Sequence, residues 1–481
     1  MTRTYKELWY WTSGLMLLFV LMFILTSLSG YFFQIMAILA VAGCGILFYF
    51  IGIRRSFHIL LLSLPLSLNV PVTGSNQLMF PSELLVVAFG LGVLLYWIKN
   101  TNEFLEWLQQ PVTIALLCYL FFMLVSVFFS ELIVVSVKSA IIKFIYVTSF
   151  YGGGYLYFKS VKHESGFVDY YLVPLCLVVM FVLFRHLQFS FSNDVAGYVT
   201  KPFFQDHTIY SAALSFILPL ALIRAIQTSG FTKTVFGFVS ALLIIGLILA
   251  SSRASWLSSI ISFIIGLLVI LRFPRILLAL VFIGGLFFVT FNSSELIWKL
   301  KANRFDSNAR NAGIEAQTKS VTNITNDQSN AERINRWKCA WRMFLEKPFT
   351  GFGPGTYQFS YIPFQRENEM TNISVKSPYN IAEGRGGTAH NEYLLVLAES
   401  GAPAAFCFLL VILIALITGF NSAYNPDMGI TTLAMLLAFL TFIIHSFFNN
   451  FLDTDKTAML FYISIAFFAS IKFSGFKKQN V

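Results

Sequence analysis

Charged residues are scarce in this chain, and their scarcity decides the class of protein. Only 12% of the 481 residues are charged, whereas soluble domains carry about 25%. Hydrophobic residues make up 57% of the chain and aromatic residues 17%. A soluble protein of this composition would lack the polar surface that water requires. The sequence therefore predicts an all-α protein that crosses a lipid bilayer many times.

Several motifs that would indicate other functions are missing. The five cysteines show neither a disulfide framework nor the spacing of a metal site. The segment TGFGPGTY lacks the Lys-Ser/Thr of a phosphate-binding loop, and we interpret its glycines as turns. The long polar segment has no acidic pair of the kind that metal-dependent nucleotide-sugar enzymes use. We therefore expect neither a metal ion nor a cofactor.

Fourteen apolar runs approach the length of about 20 residues that a spanning helix needs. The run at 57–73 is short and contains Pro65, so we expect it to be broken or re-entrant. About 12 to 14 spans are therefore predicted. The runs are 9–29, 33–53, 57–73, 81–98, 111–130, 134–158, 168–190, 203–224, 234–250, 252–271, 275–293, 392–419, 430–450 and 456–473.

The net charge of +10 follows the loops between these runs. Arg54 with Arg55, Lys159 with Lys162 and Arg272 with Arg275 all fall on one side of the membrane if both termini are cytoplasmic. Because cytoplasmic loops are enriched in Lys and Arg, this is the predicted orientation. The pattern explains the positive charge without nucleic acid, and membrane lipids are the expected surroundings.

This orientation divides the chain into three parts. An N-terminal bundle covers 1–293, a large periplasmic loop covers 294–391, and C-terminal spans cover 392–481. The first part of the loop is polar, and we interpret it as a flexible linker.

The second part of the loop contains AERINRWKCAWRMFLEKP, with an apolar stripe at helical spacing. It predicts an amphipathic helix at the outer membrane surface that ends before Pro348. The stripe consists of Ile334, Trp337, Trp341, Phe344 and Leu345.

Three arginines are candidates for binding an anion. Arg253 lies within the apolar segment LILASSRASWLSS, where a guanidinium is costly unless it faces a polar cavity or the interface. Arg333 and Arg336 are three residues apart on the amphipathic helix, and two guanidiniums there can bind a diphosphate. The alternatives are an interfacial Arg253 that reaches lipid phosphate and ordinary head-group contacts by the helix.

Other polar residues fall at the predicted outer ends of spans or within them. His390 can accept a proton from an acceptor hydroxyl, or it is only a helix-start residue with Asn391 as the cap. Asp206, His207 and Lys138 either line a polar cavity together with Asn391 or pair structurally.

The order of these motifs resembles the O-antigen ligase and O-antigen polymerase superfamily. ERINRWKCAWRMFLEKPFTGFGPGTYQF is followed by AHNEYLLVLAESGAPAAF, that is, an Arg four residues before a Trp, Pro-x-x-Gly-x-Gly, His-Asn and Glu-x-Gly. SSRASW and the late HSFFNNFLDTD are similar to further segments of the family. The resemblance covers roughly 200–460, with its specific motifs between 330 and 405.

The resemblance implies a membrane glycosyltransferase of the GT-C type in the bacterial inner membrane. Such enzymes transfer a glycan from undecaprenyl diphosphate, on the periplasmic face, to a hydroxyl of lipid A-core, another glycan or a protein. Carried over by motif, His390 is the general base, and Arg253 and Arg333 hold the diphosphate, with Arg336 a weaker candidate. The favoured function is an O-antigen ligase of lipopolysaccharide biosynthesis.

Two kinds of alternative remain at this point. A polymerase or a protein O-oligosaccharyltransferase of the same superfamily shares the motifs. A flippase or other transporter of lipid-linked glycans is the alternative of a different class. A transporter is expected to show interrupted or charged helices in two related halves, whereas here the Arg and His residues collect around one large loop.

Overall fold

The computed structural model describes residues 31–73, 76–161, 166–274, 328–372, 374–375, 387–425 and 429–471. These residues are mainly helical, in agreement with the predicted all-α membrane fold. The helices are α1 (Tyr31–Ile51), α2 (Ile53–Leu66), α3 (Ser82–Lys99), α4 (Thr101–Leu108), α5 (Pro111–Phe128), α6 (Ile133–Tyr146), α7 (Gly153–Val161), α8 (Phe167–Leu187), α9 (Ala196–Val199), α10 (His207–Gln227), α11 (Gly230–Leu249), α12 (Arg253–Ile270), α13 (Gln328–Glu346), α14 (Tyr357–Ser360), α15 (Glu392–Ala423), α16 (Gly429–His445) and α17 (Asp455–Ser470).

Eight segments of the described chain are long and apolar enough to cross a membrane. They confirm eight of the predicted runs, and a π-helical turn at Val147–Gly152 joins α6 to α7 into one of them. The eight are Ser82–Lys99, Pro111–Phe128, Ile133–Val161, Phe167–Leu187, His207–Gln227, Gly230–Leu249, Arg253–Ile270 and Glu392–Ala423. Shorter apolar helices cover Ala40–Ile51 and Gly429–His445. The predicted runs 9–29 and 275–293, and most of the predicted linker, lie outside the described residues.

The run at 57–73 is not a continuous helix. Helix α2 includes Pro65 and ends at Leu66, after which Ser67 has an extended backbone. The chain continues as an antiparallel hairpin of β1 (Leu68–Thr73) and β2 (Asn76–Phe80), with Leu68 opposite Phe80.

The predicted loop helix forms as α13, but its apolar stripe is not its buried face. Trp341 and Leu345 are 48% and 59% exposed, a position suited to lipid contact. The face that packs into the protein instead carries Glu332, Asn335, Arg336, Cys339, Ala340 and Met343. This face and the segment after it build a second small core with the start of α15, separate from the core of the bundle.

The glycine segment after α13 forms turns, as predicted from its sequence, against a kink in α15. Gly353 N–H donates to the carbonyl of Glu399 at 2.7 Å, while the Glu399 carboxylate accepts from the amides of Gly355 and Tyr357, both at 2.9 Å. The kink is at Gly401, whose φ of +75° is in the left-handed region that favours glycine. These bonds fix α13 relative to α15, whose first turn follows His390.

Candidate functional site

The structure brings the first turns of three helices to one site. Arg253 begins α12, Asp206 caps α10, and His390 lies two residues before α15. Helix N-termini carry a partial positive charge and unpaired backbone N–H groups, which favour bound anions. Helix α13 contributes Arg333 to the same place, and the Arg333 guanidinium lies within electrostatic range of Arg253, Asp206 and His390.

His390 is held in a strained backbone conformation. Its φ is +50°, a value that is uncommon outside glycine and persists only when the surrounding structure enforces it. The Trp337 indole N–H donates to the His390 carbonyl at 3.2 Å, and the His390 amide donates to the Thr388 hydroxyl at 3.2 Å. Asn391 caps α15 by accepting from the Leu394 amide at 2.9 Å, as the alternative interpretation of Asn391 predicted.

Arg336 lies against the backbone that leads to His390. Its Nε donates to Glu332 at 2.9 Å and one terminal nitrogen donates to the Thr388 carbonyl at 3.0 Å. The guanidinium also lies 5.5 Å from the ring centroid of Tyr361. A Cβ at Gly387 would overlap this guanidinium, so only glycine leaves room for it there. Arg336 is therefore engaged within the loop, unlike the predicted role at the diphosphate.

The electrostatics of the site are dominated by guanidinium groups. Burial lowers the pKa of Arg333, and the nearby Asp206 carboxylate opposes that shift. Arg253 adds a further positive charge within range of Arg333. Arg253 and Arg333 are both partly buried, and an anion bound between them would lower the repulsion between the two guanidiniums.

Burial and these charges together keep His390 neutral. Burial lowers the pKa of His390 to about 4, and the positive charges of Arg336 and Arg333 add to the shift. Asn449 and Asp206 act in the opposite direction. Near pH 7 the imidazole is therefore unprotonated, which is the state that a general base requires.

Of the remaining predicted residues, Asp206 lies at the candidate site and Lys138 does not. Asp206 accepts from the Thr208 amide at 2.9 Å and pairs with His207 Nδ1 at 2.8 Å. Burial acts to raise the pKa of Asp206, but the hydrogen bonds and charge of its neighbours, above all His207, outweigh it and lower the pKa to about 2. Lys138 is exposed on α6 and its charge interacts with Glu83 instead. The structure therefore brings Asp206 close to Arg333 and His390, and it does not bring Lys138 there.

Two residues of the site were missed from the sequence. Asn449 acts to raise the pKa of His390, and its Nδ2 lies 3.0 Å from Nε2 of the fully buried His445 at the end of α16. Both belong to HSFFNNFLDTD, which the motif comparison singled out only as a segment. Asn449 follows α16 and His390 precedes α15. No local sequence pattern relates residues at the ends of separate helices, so their proximity could not be predicted from the sequence.

Similarity to known proteins falls on the same residues. Residues 238–409 match the family model described as O-antigen ligase. Over this segment the chain is similar to the O-antigen ligase family. The matched segment runs from within α11 into α15 and so includes Arg253, Arg333 and His390, and it confirms the resemblance drawn from the motifs. It supports glycosyltransferase activity of the ligase or polymerase type. No curated protein matches the chain.

Proposed function

We propose that this protein is a member of the O-antigen ligase family and transfers a glycan from undecaprenyl diphosphate to a hydroxyl of lipid A-core. The reaction takes place at the periplasmic face of the bacterial inner membrane, with both termini in the cytoplasm. The observation that carries the proposal is the grouping of Arg253 and Arg333 beside a neutral His390, at the N-termini of α12 and α15. A cationic pocket next to a base suits a diphosphate leaving group and a hydroxyl nucleophile.

The proposed chemistry is a single displacement. The acceptor hydroxyl oxygen attacks the anomeric carbon of the donor glycan, and the bond from that carbon to the diphosphate oxygen breaks. The hydroxyl proton passes to His390, and the electron pair leaves with undecaprenyl diphosphate. Attack opposite to the leaving group inverts the anomeric configuration. Arg253 and Arg333 stabilise the charge that develops on the diphosphate, a role that requires no metal ion.

Donor binding should also strengthen the base. Burial lowers the pKa of His390 to about 4, and the positive charges of Arg336 and Arg333 add to this shift. A diphosphate bound to Arg333 would offset that charge, so the pKa of His390 should rise toward its ordinary value of about 6.5. His390 would then be a better proton acceptor when the donor is in place.

The asymmetry of the described residues favours an enzyme over a transporter. Arg253, Arg333 and His390 lie at one end of the bundle, next to the loop core of α13. A lipid-linked glycan carrier would need polar groups along a path to the other face. Polymerase and protein O-oligosaccharyltransferase reactions use the same donor chemistry, and the acceptor is what separates them from a ligase.

A transfer assay with separate acceptors tests the proposal. The purified full chain would receive an undecaprenyl-diphosphate-linked glycan with lipid A-core, with an acceptor peptide, or alone, each with and without EDTA. The matched control is His390→Asn, because asparagine tolerates the left-handed backbone of this position and has no imidazole. We expect a lipid A-core product that is insensitive to EDTA and absent with His390→Asn.

Each other outcome assigns a different function. Chain growth with donor alone would identify a polymerase, and product on the peptide would identify an oligosaccharyltransferase. Full activity of folded His390→Asn would exclude His390 as the base. Folded wild-type protein without product in any tube would contradict the glycosyltransferase proposal and favour transport.

A further inference from the structure

A buried cluster of hydrogen bonds fixes the first turn of α12, the turn that begins with Arg253. Ser255 is at its centre, because its hydroxyl lies 2.6 Å from the Ser211 hydroxyl on α10 and 3.0 Å from that of Ser252, the N-cap of α12. Nδ1 of His445, the last residue of α16, lies 3.4 Å from the same hydroxyl. Ser211, Ser255 and His445 are fully buried. The cluster therefore joins the start of α12 to α10 and to the end of α16.

The donors and acceptors of this cluster follow one consistent direction. The Asn449 side-chain nitrogen lies 3.0 Å from Nε2 of His445 and can only donate, so the proton of the neutral imidazole is on Nδ1. Nδ1 can then donate to the Ser255 hydroxyl, which donates to Ser211. Ser211 in turn donates to the Thr208 carbonyl at 3.0 Å. A buried chain of this kind favours one geometry, because a shift of any member leaves a buried donor or acceptor unpaired.

The segment that follows α16 is bonded in turn to the start of α15. The Glu392 amide donates to the Ser446 carbonyl at 2.9 Å, and the Asn391 side chain donates to the Phe447 carbonyl at 3.1 Å. The Glu392 carboxylate accepts from the Phe451 amide at 2.9 Å. These bonds fix the N-terminus of α15, next to the proposed base.

We propose that residues 445–452 form a bridge that fixes the separation of Arg253 and His390, and that Ser255 and His445 are the positioning residues at its α12 end. The inference rests on the proposed function for the roles of Arg253 and His390. In that reaction the base and the arginine act on opposite sides of the anomeric carbon. Their separation therefore matters, because a misplacement of about 1 Å in an active site can lower the rate about 100-fold.

Ser255→Ala removes the centre of the cluster at the cost of a single oxygen atom. We expect kcat for transfer from undecaprenyl-diphosphate glycan to lipid A-core to fall about 10- to 100-fold. The donor KM should change less than about threefold, because a displaced catalytic group costs more in the transition state than in the ground state. His445→Leu should give a loss of similar size. The double variant should be no slower than the slower single variant, because both substitutions break the same contact.

Ser262→Ala is the matched control. Ser262 is also fully buried on α12, and its hydroxyl donates to the Leu437 carbonyl of α16 at 2.7 Å. It lies about two turns from Ser255, so its substitution removes a bond between the same two helices without touching the first turn. We expect its kcat to stay near the wild-type value. Equal losses in Ser255→Ala and Ser262→Ala would show a general weakening of helix packing and overturn the proposal, as would wild-type kcat in Ser255→Ala.

Asn391→Ser tests the α15 end of the bridge. Serine caps helix N-termini about as well as asparagine, but its side chain is too short to replace the bond to the Phe447 carbonyl. We expect kcat to fall about 10-fold. Combined with Ser255→Ala, the loss should be smaller than the product of the two single losses, because both variants loosen one bridge. Losses that multiply would show that the two ends act independently and would contradict the bridge.

Hydrogen exchange of the protein in lipid nanodiscs tests the bridge without any turnover. Amides of the bridge and of the first turn of α15, including that of Glu392, should exchange slowly in the wild type. Ser255→Ala should speed their exchange, although residue 255 is distant from them in the sequence, and Ser262→Ala should not. Unchanged exchange in Ser255→Ala would refute the bridge even if transfer is normal. Faster exchange in Ser255→Ala, together with no transfer by the wild type, would support the bridge and refute the proposed function instead.

Discussion

Arg333 and Arg336 are three residues apart on α13, yet their surroundings differ. Arg336 is bound within the loop by Glu332 and by the Thr388 carbonyl. Arg333 instead interacts with charges of the candidate site, including Arg253 and Asp206. A single helical turn therefore carries one arginine that stabilises the loop and one that faces the candidate site. Helical spacing makes both equal candidates, and only the packing of α13 separates them.

Removing Arg333 should have the largest effect on catalysis. Arg333→Ala should lower kcat/KM for the donor about 100- to 1000-fold, the usual cost of losing one group that stabilises charge in the transition state. Arg333→Lys should fall between this variant and the wild type, because an ammonium keeps the charge but cannot bind two phosphate oxygens side by side. Donor titration and transfer rates would measure both effects. An Arg333→Ala enzyme with unchanged donor affinity would place the diphosphate elsewhere.

Removing Arg336 should mainly reduce stability. Its ion pair with Glu332 is buried, and loss of one partner leaves an uncompensated charge, at a cost of about 3–5 kcal/mol. Arg336→Ala should therefore lower the midpoint of thermal unfolding in detergent much more than Arg333→Ala does. A double variant, Arg336→Met with Glu332→Gln, should recover part of the loss. Weaker donor binding by Arg336→Ala without any loss of stability would restore the sequence-based prediction that Arg336 binds the diphosphate.

The pH dependence of transfer should show which arginine the donor neutralises. In the free enzyme the pKa of His390 is about 4, and kcat/KM reports this state. In the donor complex Arg333 is offset by the diphosphate while Arg336 remains bound to Glu332, so the pKa of His390 should rise by about 1 to 3 units. Because His390 is active when neutral, the acid limb of kcat should lie at higher pH than that of kcat/KM. Coincident limbs would show that the donor does not alter the field at His390.

The sequence predicted the parts of the molecule that depend on local patterns. Apolar length predicted the spans, Pro65 predicted the broken run, and Pro348 predicted the end of α13. Which face of α13 is buried was not predictable, because its buried face includes Glu332 and Arg336, whose polar groups are satisfied by residues far along the chain.

The same limit applies to the candidate site. Motif resemblance identified Arg253, Arg333 and His390, and their proximity became visible only in the fold. Asn449, which acts on the pKa of His390, follows the end of α16 and is 59 positions from His390 in the sequence, so helical periodicity does not predict that the two residues are near each other. The role of a side chain whose partners are distant in the sequence can be assigned only from the three-dimensional structure.

Lys138 should give the smallest effect of all. The apolar context of this lysine predicted either a place in a polar cavity or a structural pair, and the side chain is exposed on α6, where its charge interacts with Glu83. Exposed charges contribute at most about 1 kcal/mol. Lys138→Ala should therefore leave both kcat and the donor KM within about twofold of the wild type, a difference of roughly 0.4 kcal/mol. A tenfold loss in donor affinity would mean that the diphosphate pocket extends beyond Arg253 and Arg333 to α6.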